Sequence, residues 1–372
     1  MFTVKSITEI IEQIAPKNLA LNWDNVGLQI GSLSTQVKRI LLCLDVNEQV
    51  INEAIERDVQ LIISHHPLIF SPIKNVTTET YKGNLIIKAI ENKLNIYVAH
   101  TNIDGSEGGL NSYIAGLLNL QNTEVIDPIG EESLYKIAVF IPEGHEEIVS
   151  NELSRAGAGH IGNYSHCTFR THGEGTFKPL EGTNPFIGEI NKIECVKEIR
   201  LETIVKQRDL HKAVDAMLKA HPYEEVAYDV YKLSNIQSEK NGIGRVGELE
   251  QPVIFRDFIE HMKNVFNTKH LKVTGMIDET IKRVAVVNGS GAEYISKAAK
   301  LNCDLLITGD VKYHDAQMAE ELNLKIIDVG HYESEIFFID LLNDYLSEQF
   351  KKHNIQVEVI SSCVNGNPFT II

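Results

Sequence analysis

A long-range internal repeat restricts the fold more than any other feature of this sequence. VKRILLCLDVNEQVINEAIERDVQLIISHH, beginning at Val37, aligns without a gap on IKRVAVVNGSGAEYISKAAKLNCDLLITGD, beginning at Ile281, at a constant offset of 281 − 37 = 244. Each copy reads as strand, turn, helix, strand. Apolar residues recur at helical spacing between the β-branched runs: Val50, Ile51, Ala54 and Ile55 in the first, Tyr294, Ile295, Ala298 and Ala299 in the second. Farther on, allowing a deletion of 13 residues, LNIYVAHTNID aligns with LKIIDVGHYESE, which matches His100 to His331 and Asp104 to Glu335. The packing needs of βαβ units account for the apolar matches. They do not account for polar residues matched at strand ends. The expected fold class is α/β, with a duplicated α/β core whose pseudo-twofold related halves bring both sets of strand ends to one cleft.

Between the copies the pattern changes. KIAVFIPEGHEEIVSNELSRAG reads as strand and helix, HIGNYSHCTF as a strand, and KEIRLETIVKQRDLHKAVDAMLKAHPYEEVAYDVYKL as strand, helix, strand, with THGEGTFKPLEGTNPFIGE as a glycine-rich loop. That βαββαβ order predicts an inserted α+β, ferredoxin-like domain. The expected organisation is residues 1–129 as the first half of the core, 130–235 as the insertion and 236–372 as the second half, with SNIQSEKNGIG as a polar return linker.

A chain of 372 residues exceeds one ordinary core, and its formal charge of −16 leaves no basic stripe, so nucleic acid is not expected as a partner. Cys43, Cys167, Cys195, Cys303 and Cys363 are odd in number, scattered and without a CxxC pair, which argues against a disulfide framework and a thiolate zinc site. MFTVKSITEIIEQIA reads as an amphipathic helix rather than a leader, and no stretch of 18 apolar residues occurs, so a cytoplasmic protein without membrane contact is expected.

In LIISHHPLIF, Pro67 cannot donate to a sheet ladder, which places His65 and His66 where a strand runs out into a loop. Such ends are where α/β sheets bind ligands. His65, His66, Asp104, His331 and Glu335 together offer imidazole and carboxylate without thiolate, a donor set suited to zinc, iron or manganese. Five such groups exceed the needs of one ion, so two divalent ions are expected, each taking one of the adjacent histidines. His100 and His314 are candidates to transfer protons. GAGHIG lies between a helix and a strand, the wrong context for a dinucleotide loop, and reads as a turn. HIGNYSHC reads as a structural strand. In VVNGSGAEY, backbone N–H groups near Ser290 are an anion-site candidate, with an ordinary tight turn as the alternative.

LNWDNVGLQIGS, SHHPLIF, HTNID, TGDVKYHDA and GHYESE, in this order, resemble the motifs of the NIF-three-like family, whose bacterial members are known as GTP cyclohydrolase I type 2 homologs. The resemblance spans nearly the whole chain. It implies a duplicated α/β core with a two-metal site held by His65, His66, Asp104, His331 and Glu335, with Glu335 bridging. It further implies a PII- or CutA-like insertion and a homohexamer. The expected function is a dinuclear metal-dependent hydrolase acting on a nucleotide or related heterocycle, with a GTP cyclohydrolase-like ring opening as the specific case. The alternatives are a metal-binding regulatory or metal-handling protein and a two-metal phosphoesterase. The expected partners are a small-molecule or nucleotide ligand and further copies of the chain.

Overall fold

Leu41 and Cys43 face one way from their strand while Ile40 and Leu42 face the other, and all four are buried. A strand covered on both faces explains why the first repeat reads as a continuous apolar run rather than an alternation. The computed structural model describes residues 2–129, 133–162, 164–234 and 240–370. Its strands are β1 (Gly27–Ile30), β2 (Arg39–Cys43), β3 (Leu61–Ser64), β4 (Asn95–Val98), β5 (Gln121–Pro128), β6 (Leu134–Pro142), β7 (Thr168–Phe177), β8 (Glu194–Lys206), β9 (Tyr228–Lys232), β10 (Gly242–Ile254), β11 (Lys272–Thr274), β12 (Thr280–Ser290), β13 (Leu305–Gly309), β14 (Lys325–Asp328) and β15 (Glu358–Ser361).

The chain divides into two compact units, Met1–Gly130 with Glu239–Ile372, and Glu131–Ser238. The first contains two mixed sheets, ordered β1-β4-β3-β2-β15 and β11-β14-β13-β12-β10-β5. In each, three neighbouring strands run parallel: β2, β3 and β4 in one, β12, β13 and β14 in the other. Each sheet also takes a strand from the far side of the sequence. β15 pairs in parallel with β2, and β5 pairs antiparallel with β10. The largest core cluster joins Ile40, Leu42 and Ile63 of one sheet to Val284, Val286 and Ile307 of the other, with Ile7, Ile11, Phe258, Phe338 and Leu346 among its members. Separate clusters cover the other faces.

The N-terminal segment forms the helix Val4–Ile14, buries Val4, Ile7 and Ile11, and opens with a capping box in which Ser6 N–H donates to Thr3 Oγ1 and Thr3 N–H to Ser6 Oγ. Such a cap contributes roughly 1 kcal/mol. Among the described residues no helix is long and apolar enough to cross a membrane.

The second unit contains one antiparallel sheet ordered β7-β8-β6-β9, with helices Glu146–Arg155 after β6 and Gln207–Ala220 after β8. Ile137, Val139, Leu201 and Val205 pack with Val149, Leu153, Ala213 and Met217 of the helices in its core. Two local expectations are corrected. HIGNYSHC is not a strand; Ile161 and Tyr164 bridge each other in a turn, and Gly157, Gly159 and Gly162 around it all have positive φ. The first part of the glycine-rich stretch is strand rather than loop, because Gly173 and Gly175 lie in β7 opposite Glu198 and Val196. The return linker lies partly outside the described residues, and its NGIG end already belongs to β10 from Gly242.

Ile129 N–H donates to the Asn241 carbonyl at 3.1 Å, one step beyond the Pro128–Gly242 pair, so the two edges of the second unit's connection are hydrogen-bonded neighbours. Replacing residues 130–240 by Asn-Gly should therefore close β5 and β10 as a two-residue hairpin. The shortened chain is expected to unfold cooperatively and to keep the metal-binding stoichiometry of the full chain. A chain that is soluble but lacks cooperative unfolding would show that the first unit does not fold alone.

Candidate metal centre

The ligand candidates of the centre follow the carboxyl ends of parallel strands, where backbone leaves the sheet and side chains converge on the crevice. His65 and His66 follow β3, and Asp104 ends the short helix Thr101–Asp104 after β4. Asn288 and Gly289 end β12, Asp310 follows β13, and His331 and Glu335 bound the helix His331–Glu335 after β14.

His65 is fully buried, and its Nδ1 lies 3.0 Å from the Ala99 carbonyl oxygen. A carbonyl only accepts, so Nδ1 carries the proton and Nε2 presents its lone pair. That Nε2 is buried with no hydrogen-bond partner, 3.6 Å from Glu335 Oε1 and 3.8 Å from Asp104 Oδ1. His66 diverges from it, with ring centroids 5.1 Å apart. Its Nδ1 lies 2.8 Å from Asp45 Oδ1 and its Nε2 2.8 Å from Glu335 Oε2. His331 mirrors this arrangement, with Nδ1 2.7 Å from Asp310 Oδ2 and Nε2 2.9 Å from Glu335 Oε2. Glu335 thus turns one oxygen to His66 and His331 and the other toward His65. One donor atom each of His66, His331 and Glu335 lies within 4.8 Å of the others, and the same holds for His65, His66 and His100.

The expected ligands His65, His66, Asp104, His331 and Glu335 are therefore brought to one place. His100 joins them, its Nδ1 held 2.9 Å from Asp24 Oδ1 and its ring edge-on to His65 and to Trp23. His314 does not. Its exposed ring lies 2.9 Å from Gln317 Oε1 on the helix Tyr313–Glu321, and it belongs to neither metal-ligating group. The anion-site alternative also gives way to the tight turn, because Gly289 N–H donates to Ser334 Oγ and Gly291 N–H to Thr308 Oγ1.

Further residues that sequence reasoning did not assign complete the centre. Asn288 Nδ2 donates to Asp104 Oδ1 at 2.9 Å and approaches Glu335 Oε1 at 3.3 Å, and Asn111 holds Asn288 in turn. Gly289, at φ +62°, leaves the space that Glu335 fills; a Cβ there would collide with Oε1. Asp45 and Asp24 orient His66 and His100. In the repeat Asp45 stands opposite Gly289 and Asn288 opposite Leu44, so the self-alignment carried no signal for any of the three. Asp24 lies inside LNWDNVGLQIGS, which marked the segment without marking its role.

Electrostatics follow from this packing. Burial disfavours ionised Glu335, but the neighbouring His65 imidazole and the hydrogen bonds of His331 and His66 outweigh it and hold the carboxyl well below its ordinary range. Asp104 goes the other way, raised by burial and by Glu335 against the pull of His65. For His66, burial is outweighed by Asp45 and Glu335, which raise its pKa to about 10. The hydrogen bond to Glu335 leads for His331, with Asp310 adding, and raises it to about 9 against the cost of burial. A buried imidazole lone pair without a partner, a carboxylate shared by several imidazoles and an orienting acceptor behind each ring fit a divalent cation of the zinc, iron or manganese type. A cleft of about 1030 Å³ lined by Asp45, His66, Asp310 and His331 opens beside the cluster.

Fold and site together define an α/β protein with a histidine–carboxylate cluster able to hold metal. Residues 2–368 match the family model Duf34/NIF3 (NGG1p interacting factor 3), and the chain belongs to that family. It is 43% identical over 368 residues to a GTP cyclohydrolase 1 type 2 homolog of Halalkalibacterium halodurans, covering 99% of this chain and 98% of that one. The corresponding Bacillus subtilis homolog is 41% identical over the same shares. Among solved structures, a Bacillus cereus protein related to NIF3 superposes with a TM-score of 0.86 at 41% identity, over 100% of this chain and 99% of that one. Staphylococcus aureus protein SA1388 follows at 0.84 and 28%, with the same coverage.

Two outcomes are expected. Gly289→Ala should displace the Glu335 carboxylate and lower metal content per chain, while Gly116→Ala, whose Cβ would meet nothing within 4 Å, should not; elemental analysis of both variants checks this. Because His66 and His331 titrate at about 10 and about 9, both are protonated near neutrality, and a cation must displace those protons. Metal binding should release protons and tighten as pH rises from neutrality toward about 9. Calorimetry in buffers of different ionisation enthalpy measures the release; affinity independent of pH would show that neither imidazole is a ligand.

Proposed function

We propose that the protein is a dinuclear metal-dependent hydrolase acting on a nucleotide or related heterocycle, with zinc the first candidate and iron or manganese the alternatives. The observation that carries the reading is that two donor groups meet at one carboxylate, His65 and Asp104 on the Glu335 Oε1 side and His66 and His331 on its Oε2 side. Two groups sharing a member suit two neighbouring cations better than one. With neutral imidazoles, Asp24, Asp45, Asp104, Asp310 and Glu335 concentrate negative charge that two dications would offset. The family's bacterial name, borne by the relatives in Halalkalibacterium and Bacillus, supports a heterocycle such as the guanine ring as substrate class.

When bound, divalent ions supply Lewis acidity, polarising the attacked centre and making water more acidic. The chain's own part is to hold and orient. His65, His66, Asp104, His331 and Glu335 would be the ligands, with Glu335 serving both positions. His100 would receive and return the proton through the ring nitrogen that does not face Asp24, while Asp24 fixes the tautomer. Trp23 and Phe70, exposed and 5.6 Å apart, stand beside His100 as an apolar wall for a ring.

The same reading assigns the parallel strands β2 to β4 and β12 to β14 to the halves of a duplicated core, residues 1–129 and 236–372. It assigns the second unit, near 130–235, to a PII- or CutA-like insertion, and the assembly to a cytoplasmic homohexamer. Metal titration and turnover test the reading together. Two ions per chain are expected in the parent, and Glu335→Gln should lower occupancy of both, since one bridging anion offsets two charges. Metal-loaded protein should consume GTP or a related nucleotide with loss of the ring absorbance, and release of phosphate without ring opening would identify a phosphoesterase instead. A single ion per chain at saturating metal would overturn the dinuclear site, and metal delivery to a second protein without any turnover would overturn hydrolysis.

A further inference from the structure

The second unit has a cavity of its own. It measures about 520 Å³ and is lined by Phe140, Phe177, Phe186, Glu198 and Tyr223 together with the loop after β7. Phe140 and Glu198 lie on the sheet face turned away from the helices, since Val139 and Leu201, on the opposite face of the same strands, are the residues packed in the helical core. The loop is tied down over this face rather than left free: Asn184 N–H donates to Glu224 Oε2 at 3.0 Å and Asn191 N–H to the Pro179 carbonyl at 2.7 Å.

Three observations specify what would fill it. Glu198 is nine-tenths buried, at 9% exposure, yet no basic side chain among the described residues pairs with it; Lys136 and Arg200 on the same sheet are both committed to Glu202, at 2.9 and 3.0 Å. Gly175 makes room for that carboxylate, since a Cβ there would collide with Glu198 Oε2. The Tyr223 hydroxyl is buried without a well-formed hydrogen bond, and burial and the nearby Glu198 push its pKa up to about 12, so it stays a neutral donor. Around these groups stand tilted rings. Phe177 and Phe186 lie 5.8 and 6.3 Å from Tyr223, at 57° and 51° to it.

Parallel rings would make a slot for a flat base; rings tilted this far make a cage for a compact cation. The lining carries the carboxylates of Glu198, Glu224 and Glu225 against the single ammonium of Lys178. No group of three histidine, cysteine or carboxylate donors close enough to hold a metal occurs among the described residues of this unit, which separates an organic cation from a metal ion. We propose that the second unit binds a small alkylammonium ligand, its N–H groups donating to Glu198 and its alkyl part enclosed by Phe177, Phe186 and Tyr223. Every lining residue belongs to the second unit, and such a ligand would give that unit something to respond to.

The test uses the full chain, with butylammonium chloride as probe and 1-butanol as its neutral counterpart, at constant ionic strength in ligand-observed NMR. Saturable butylammonium binding is expected, with 1-butanol weaker by roughly tenfold or more, because it cannot form the charge-assisted bond to Glu198. Glu198→Gln, nearly isosteric, should weaken the amine by about tenfold and leave the alcohol unchanged. Phe186→Ala, on the exposed loop, should weaken it several-fold without affecting the fold. Far-UV circular dichroism and hydrogen-exchange protection of the β6 and β8 amides serve as the folding control for each variant. Equal binding of amine and alcohol, no saturable binding of the amine, or an unchanged affinity in Glu198→Gln would each overturn the proposal.

Discussion

The Glu335 carboxylate is the anion on which the metal-binding cluster depends. It is 3% exposed, and burying an uncompensated carboxylate costs several kcal/mol in effective terms. Compensation comes from both sheets at once: His65 and His66 after β3, His331 and Asn288 from the β14 and β12 side. The glutamate also stands just before the helix Phe337–Lys352, whose first N–H groups favour negative charge. Three residues on, Phe338 packs its ring 4.9 Å from that of His65 and enters the largest core cluster. Charge balance at the site and packing in the core are thus set by the same short segment. Neither sheet could shift register without uncovering a charge.

Much of this is legible in the sequence. Buried parallel strands carry uninterrupted apolar runs, and the end of such a run is where polar residues can next appear, so His65, Asp104, His331 and Glu335 announce themselves as strand-end groups. Pro67 marks the exit after β3. What stays hidden has a common physical cause. Asn288, Gly289, Asp45 and Asp24 act on the ligands and not as ligands, and such roles are set by which loop approaches which ring, a tertiary fact without periodicity. Gly289 works through the atom it lacks. His314 shows the converse: its motif is in place, but its helix turns the ring outward to Gln317.

The second unit obeys the same logic on a different surface. Its glycine-rich stretch reads as loop because glycine is poor in strands, yet Gly175 is tolerated in β7 because its neighbour across the ladder on the same face needs the volume. In both units a glycine beside a buried glutamate exchanges intrinsic strand stability for a carboxylate placed in a cavity.

The exchanged edge strands have a consequence for how the protein is made. β15 lies against β2, with Glu358 opposite Arg39, 319 residues apart in sequence. At ~5–20 residues per second, a ribosome would take roughly 15 to 65 s to cover that distance. During that interval the nascent chain carries β2 without its outer neighbour, an apolar strand edge of the kind that invites pairing with another chain. The strands of the second unit all lie within Glu131–Ser238 and have emerged well before β15. Synthesis therefore delivers a complete second unit while the first still lacks its last strand, and the sheet that positions His65 and His66 keeps an open edge until β15 arrives.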